Sequence, residues 1–232
     1  MSVWTWIGDA AESGVDAVGA LYDWVSSALG GIGDRETRRQ VAFSMALIAL
    51  SAKMAKADGV VTHDEVAAFQ RLFVTPDSET AHVERLFDLA KKDVAGFESY
   101  ARRIAILFDG DNEALEDVVD GLFTIARADG AVHAAELAYL ERVSEIFGIS
   151  EDCFDRISAR HVVPEEGDPY RILGVERSLT VTEIAAQYRV LAAENHPDRL
   201  LGRGVPPEAV ALAHERMAAI NQAWERIKRE RG

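Results

Sequence analysis

Apolar residues recur every three or four positions along most of the chain, which is the spacing of one face of an α-helix. Two such apolar stripes lie near the C-terminus. The first is formed by Ile184, Tyr188 and Leu191. The second is formed by Met217, Ile220, Trp224 and Ile227. The pattern predicts an all-α fold that ends in a hairpin of two amphipathic helices.

The central part of the chain, residues 35–160, lacks the strict alternation of apolar and polar residues that is typical of strands. It contains a single proline, Pro76. The predicted helices of this part cover about 36–57, 62–74, 78–92, 94–108, 111–128, 133–147 and 150–158. Met45 and Met54 occupy apolar positions of the first helix, so we expect both side chains in the core.

A further amphipathic helix is predicted over residues 3–29, before a glycine-rich hinge, and together they make an N-terminal segment of residues 1–34. An acidic residue at the centre of a membrane span costs roughly 2.5–3.5 kcal/mol. We therefore expect no span, because the polar side of this helix carries Asp9, Glu12, Asp16 and Asp23. Contact with a membrane surface remains an alternative to packing on protein, through Trp4, Trp6 and Trp24.

Two stretches of the central part repeat each other at a distance of 71 residues. Residues 55–65 read AKADGVVTHDE, and residues 126–136 read ARADGAVHAAE. In both copies a helix is expected to end at Asp-Gly and a new helix to begin just before the final Glu, where an acidic side chain caps a helix well. The repeat predicts two helical units related by pseudo-symmetry.

Each copy of the repeat has the Gly-x5-Glu spacing that ends a calcium-binding EF-hand loop. The first and third ligand positions of such a loop hold residues that do not bind calcium, namely Met54, Lys56, Ile125 and Arg127. We therefore exclude an EF-hand. A looser site for a divalent metal remains an alternative to simple helix capping, with the candidate ligands Asp58, Glu65, Asp129 and Glu136.

A His-Pro-Asp tripeptide separates the two C-terminal stripes. Pro197 disfavours helical geometry at His196, so the helix over residues 180–195 is expected to end there. Because Pro197 also fixes its own φ angle, the turn presents the imidazole of His196 and the carboxylate of Asp198 on a restrained backbone. On its own, such a tripeptide is more often a helix stop with an exposed turn than a functional site.

The residues on both sides of the tripeptide resemble a known domain. Residues 168–232 resemble a J domain, from the proline-started turn at 168–175 to the long helix opened by Pro206. The repeat resembles the TerB-like helical domain, which would cover residues 35–160, with 161–167 as the linker. DjlA-type proteins join these two domains in this order, and residues 196–208 are similar to that family.

The resemblance implies a co-chaperone without an enzyme activity of its own. It implies that His196, Pro197 and Asp198 stimulate the ATPase of a DnaK-type chaperone, and that Arg189 and Arg199 add contacts to it. It also implies that the TerB-like domain is a targeting or interaction module whose client or adaptor is unknown.

One departure from the family keeps a second hypothesis open. The family usually has several basic residues on the outer face of the helix before the loop, whereas this chain has Ala185, Ala186 and Glu194 at such positions. Arg189 is left nearly alone there. The second hypothesis is an acidic stress-response or metal-binding scaffold with a degenerate J domain, and a third is a membrane-surface adaptor.

The charge of the chain argues against nucleic acid as a partner. The formal net charge is −14 over 232 residues. Residues 168–232 hold 10 Lys or Arg against 9 Asp or Glu, whereas residues 1–167 hold 15 against 30. An acidic body of this kind repels phosphate backbones.

The remaining chemistry points away from catalysis. There is no glycine-rich phosphate loop, no Gly-x-Ser-x-Gly and no His-Glu-x-x-His, so we expect no enzyme and no cofactor beyond the possible divalent metal. Cys153 is the only cysteine, which fits a reducing compartment: cytoplasmic, or peripheral to the inner membrane. Five histidines are predicted at the surface: His63, His82, His133, His161 and His214.

Overall fold

The computed structural model describes residues 35–57, 96–108, 110–161 and 167–231. Within these ranges the chain contains helices and no β-strand, which confirms the all-α prediction. The α-helices are α1 Arg35–Ala57, α2 Phe97–Leu107, α3 Asn112–Ala126, α4 Ala134–Phe147, α5 Glu151–His161, α6 Pro169–Leu173, α7 Val181–Glu194, α8 Pro197–Arg203 and α9 Ala211–Arg231. The N-terminal segment and the helices predicted over 62–74 and 78–92 lie outside the described residues.

Helix α1 is the centre of the first domain. Every residue from 41 to 54 is buried, Met45 and Met54 among them, because α2, α3 and α4 all pack against this helix. A helix surrounded in this way is expected to be apolar nearly all round, and the exceptions within 41–54 are Ser44, Ser51 and Lys53. Its buried Ser51 hydroxyl donates a hydrogen bond to the carbonyl of Leu47 at 2.6 Å, so the polar group is satisfied within the helix.

Local signals set the ends of the helices around α1. The Asp111 carboxylate caps α3 by accepting a hydrogen bond from the backbone N–H of Ala114 at 3.3 Å. The Glu136 carboxylate caps α4 by accepting from the N–H of His133 at 2.8 Å. The Tyr139 hydroxyl then donates to the carbonyl of Leu50 at 2.8 Å, which fixes α4 against the buried helix.

The second domain is built on the predicted hairpin of α7 and α9, with the short α6 packed against it. Its buried core is formed by Tyr170, Ile172, Leu173, Ile184, Ile220, Ala223 and Ile227. The rings of Tyr188 and Trp224 stack with centroids 5.4 Å apart at the edge of this core. The apolar stripes therefore face each other as the sequence indicates.

The two domains meet along α3, and α8 also packs on α1 and α6 on α5. The apolar cluster of the first domain continues into the second, where it takes in Leu200, Val205, Ala209, Leu212 and Ala213. A Cβ atom on Gly121 would lie 2.9 Å from the side chain of Leu47 and 3.5 Å from that of Leu212. A larger residue would force the Leu47 side chain to move, so the glycine lets α3 lie close between α1 and the start of α9.

Three features near the junction differ from the sequence predictions. Helix α8 begins directly at Pro197, where we expected only a turn. Helix α9 begins at Ala211, after a 3-10 turn at Pro207–Ala209, and not at Pro206. His161, which we placed on the surface at the start of the linker, is the last residue of α5 and is buried, because it faces α3 and not solvent.

Candidate functional site

The His-Pro-Asp turn lies at the exposed start of α8. His196 is the N-cap residue, and its Nδ1 accepts a hydrogen bond from the backbone N–H of Asp198 at 3.3 Å. Pro197 occupies the first helical position, where its missing N–H is not needed. The side chains of His196 and Asp198 are 58% and 86% exposed. Neither side chain is used to fill the core, so both are accessible to another molecule.

Hydrogen bonds and one buried side chain fix the backbone on either side of the turn. The Asn195 side chain donates to the carbonyl of Leu191 at 2.7 Å and accepts from Nη1 of Arg216 at 3.1 Å. Arg203 donates to the carbonyl of Glu194 at 2.9 Å. Leu200, two residues after Asp198, is 1% exposed and lies in the apolar cluster shared with the first domain. The turn is thus fixed at both ends.

The hydrogen bonds behind the turn lead to an ionic cluster between the domains. Arg216 of α9 donates from Nε to Asp120 at 2.9 Å and from Nη1 to Asp117 at 2.7 Å. Both aspartates belong to α3, and their side chains are at most 2% exposed. Arg160 donates to Asp120 at 2.7 Å from the end of α5. Arg203 approaches Asp117 to 3.6 Å.

Burial and neighbouring charges shift the pKa values in this cluster. Burial would raise the pKa of Asp120, but the guanidinium groups of Arg216 and Arg160 hold it well below its usual value. Burial raises the pKa of Asp117, although Arg216 opposes that shift. Burial lowers the pKa of His161, against the opposing effect of its contact with Asp120.

The protonation of His161 follows from these shifts. Its Nε2 lies 3.0 Å from a carboxylate oxygen of Asp120. An ionised carboxylate only accepts hydrogen bonds, so the proton of the neutral ring resides on Nε2. Nδ1 is buried and has no hydrogen-bond partner among the described residues. A second proton would therefore charge a ring that is closed off from water.

The outer face of α7, directly before the turn, carries very little charge. Its exposed residues are Val181, Thr182, Glu183, Ala186, Arg189, Val190 and Ala193. Arg189 is the one basic residue in this helix, and Val190 is 49% exposed. Arg199, on the first turn of α8, is also exposed. The structure places both predicted arginines at the surface near the turn.

Of the four candidate metal ligands, only Glu136 has a side chain that the structure describes. Asp58 and Glu65 lie outside the described residues, as does the side chain of Asp129. The Glu136 carboxylate is buried and bonds to the backbone of His133. In the described ranges no three His, Cys, Asp or Glu side chains are grouped so that they could hold a metal ion. A metal site from the four acids stays a prediction.

Sequence reasoning missed the ionic cluster. A signal for it exists in α3, where Asp117 and Asp120 are three residues apart in the otherwise apolar stretch 117–126. Two acids on one face of a helix that is buried on most sides require basic partners. The partners Arg160 and Arg216 come from distant parts of the sequence, which no local pattern reveals.

Comparison with known proteins agrees with the two-domain reading. The family model described as "Tellurite resistance protein TerB" matches residues 44–159, and the model described as "DnaJ domain" matches residues 168–231. Together they confirm the order of the two domains. No helix in the described ranges is both long enough and apolar enough to span a membrane.

Curated relatives match the chain over most of their length. The "Co-chaperone protein DjlA" of Vibrio cholerae is 27% identical, over 87% of this chain and 82% of the relative. Its counterpart in Shewanella oneidensis is 27% identical, over 84% and 80%. That of Escherichia coli K12 is 25% identical, over 93% and 89%. No solved structure gives a significant match to the chain.

Proposed function

Because the chain belongs to the TerB family and carries a DnaJ domain behind its TerB domain, we propose that it stimulates the ATPase of a DnaK-type chaperone through its His-Pro-Asp turn. The similarity to proteins named co-chaperone supports this assignment. The chain itself would catalyse no reaction. It would supply a binding surface that makes the ATPase of its partner faster.

One observation carries the proposal: the turn has exposed side chains on a backbone that is already fixed. His196 and Asp198 are mostly in solvent, while Asn195 and Leu200 on either side of them are held in place. A loop ordered before it binds loses little conformational entropy when it docks. Apart from the N-cap hydrogen bond of His196, the fold gives no reason for these side chains to stand in solvent.

Each side chain of the turn has a chemical role in this proposal. The Asp198 carboxylate accepts a charge-assisted hydrogen bond from a basic group of the chaperone. The His196 ring both donates and accepts, since its two nitrogens differ when it is neutral. Arg189 on the adjacent face of α7 contributes as an exposed ion pair, which is typically worth about 0.2–1 kcal/mol.

The TerB domain has two roles in the proposal. Through Asp117, Asp120 and the apolar cluster it supports the turn from behind. Its remaining surface is available for targeting or for an adaptor, and the acidic charge of residues 1–167 favours a basic partner there.

The test is a single-turnover ATPase assay with the cognate DnaK-type chaperone. The wild-type chain should accelerate hydrolysis, and His196→Gln should abolish the acceleration while leaving the helical circular dichroism unchanged. Arg189→Ala should raise the concentration needed for half-maximal stimulation by about two- to fivefold, as expected for one exposed ion pair.

Two results would contradict the proposal. The first is a wild-type chain that stimulates no cognate chaperone, and the second is a His196→Gln variant that stimulates as well as wild type. Either would leave the scaffold with a degenerate J domain as the better account, since the weakly charged outer face of α7 already favours it.

A further inference from the structure

A basic pocket lies on the first domain, close to the end of α8. Three arginines at the start of α1 line it together with the end of α2 and the loop that follows, and its volume is about 480 Å³. We call it the arginine pocket. Its lining residues are Arg35, Arg38, Arg39, Ala42, Leu107, Phe108, Gly110 and Asp111.

The arginine pocket carries cations that the described part of the fold does not use. Arg39 is paired with Asp111. Arg35 and Arg38 are exposed, and neither has a hydrogen bond or ion pair within the described ranges. Two unpaired guanidinium groups on a chain with a net charge of −14 form a local site that attracts acidic groups.

The pocket also has an apolar side. Leu107 and Phe108 line it, and Ile106 next to them is 68% exposed. A free inorganic anion would have no use for this surface, whereas a peptide segment that carries carboxylates among apolar side chains fits both parts. Arginine binds such carboxylates particularly well because its planar group donates two parallel hydrogen bonds.

The arginine pocket and the His-Pro-Asp turn lie at opposite ends of the short helix α8. Gly204, which follows α8, has a φ angle of +98°, and a Cβ atom there would lie 2.3 Å from the Cβ of Arg39. Pro197 opens the same helix, and seven residues of α-helix span roughly 10 Å. A standard protein interface buries about 800 Å² on each partner, so one partner is large enough to cover both places.

We propose that the arginine pocket is a second docking point for the DnaK-type chaperone, and that it receives an acidic segment of that protein while the His-Pro-Asp turn is engaged. The inference rests on the proposed function. The outer face of α7 carries Arg189 as its one basic residue, and α1 of the TerB domain then supplies further positive charge. The TerB domain would thus form part of the surface that binds the chaperone, and its arginines would make that surface more basic.

The test compares two double variants of the full chain in the single-turnover assay. Arg35→Gln with Arg38→Gln should raise the concentration for half-maximal stimulation by roughly three- to tenfold at low salt, as expected for two exposed ion pairs. The maximal rate should stay unchanged, since the turn is intact. The difference from wild type should shrink as salt is added.

The matched control is Arg171→Gln with Arg229→Gln. It removes the same charge from exposed positions on α6 and near the C-terminal end of α9, far along the hairpin from the turn. This variant should behave like wild type. Both double variants should keep the wild-type melting temperature within a few degrees, because all four residues are exposed.

The outcomes separate this inference from the proposed function. If wild type stimulates and the arginine-pocket variant matches the control, the inference falls and the proposed function stands. If wild type does not stimulate, both fall. A flotation assay with vesicles of anionic phospholipid tests lipid as the ligand instead. If Arg35→Gln with Arg38→Gln loses vesicle binding but stimulates the ATPase normally, the pocket binds lipid and the inference is overturned.

Discussion

The His-Pro-Asp turn and the Arg216 cluster both place a basic side chain beside carboxylates, but they differ in their contact with water. In the turn, a ring nitrogen of His196 lies 3.5 Å from the carboxylate of Asp198, and both side chains are largely exposed. In the cluster, Arg216 is 4% exposed and bonds to two aspartates that are at most 2% exposed.

This difference decides what each region can do. An exposed pair contributes about 0–1 kcal/mol to folding, because water competes for both partners. Its groups are free to turn to another molecule at little cost in stability. A buried pair cannot be separated without leaving a charge out of water and unpaired. The cluster therefore fixes α9 against α3, whereas the side chains of the turn stay accessible to another molecule.

The largest effect is expected from breaking the buried cluster. Arg216→Leu leaves Asp117 and Asp120 without their main partner, so the free energy of unfolding should fall by about 3–5 kcal/mol. Urea denaturation measures this. Arg229→Leu, at an exposed position on the same helix, is the control and should change stability by less than about 0.5 kcal/mol. Equal effects of the two substitutions would show that the cluster does not join the domains.

A somewhat smaller effect is expected at the apolar part of the junction. Leu200 is 1% exposed, so Leu200→Ala should lower the free energy of unfolding by about 2–5 kcal/mol through lost burial and a cavity. Leu201→Ala, one position on in α8 and only partly buried, should cost less. A larger loss at Leu201 than at Leu200 would contradict the placement of α8 on the first domain.

The pH dependence of stability should report on His161. Burial keeps the pKa of this residue below its ordinary value, so the unfolded chain takes up a proton first, near pH 6.5. The free energy of unfolding should therefore decrease as the pH falls below about 6.5, with a slope of up to about 1.4 kcal/mol per pH unit. The decrease should end at the lower pKa of the folded state.

His161→Gln provides the control for this pH dependence. The Gln side-chain amide still donates to Asp120 but does not titrate, so the variant should have a flatter profile between pH 6.5 and 5. The lowered pKa of Asp120 acts in a separate window, because it removes stability only below the usual pKa near 4. The raised pKa of Asp117 has the opposite sign: the folded chain takes up that proton first, so it adds stability as the pH falls. An unchanged slope in the variant would assign the pH dependence to other groups.

The smallest effect on stability is expected at the turn itself. Asp198→Asn should change the free energy of unfolding by less than about 0.5 kcal/mol, because the side chain is in solvent. His196→Gln should cost at most about 1 kcal/mol, because it also disturbs the N-cap hydrogen bond of α8. The same two variants should lose ATPase stimulation. A loss of stability comparable to that of Arg216→Leu would show that the side chains of the turn stabilise the fold. The turn and the buried cluster would then not differ in their contribution to stability.

The sequence was sufficient for features that depend on local pattern. Helical spacing predicts α1, α7 and α9, and Pro197 predicts the end of α7. The exposed His-Pro-Asp turn could also be located from the sequence. These features follow from residues that are close together along the chain.

The junction could not be predicted because its partners are distant in sequence. Arg216 lies 99 residues from Asp117 and 96 from Asp120, and the basic partners of an acid pair cannot be chosen among 25 Lys and Arg residues by spacing. His161 was misplaced for the same reason, since a polar helix end looks exposed until the neighbouring helix is known. Helix α8 was missed because seven residues are too few for a periodic pattern.

The shared apolar cluster has a consequence for the order in which the protein is made. The first domain is complete when residue 161 has been added, but Leu200, Val205 and Leu212, which cover one side of its core, follow up to about 50 residues later. At roughly 5–20 residues per second, the ribosome takes about 3–10 s to supply them. Until they arrive, the part of the first domain's core that they cover stays open, and exposed apolar surface of this kind makes a nascent chain prone to aggregate.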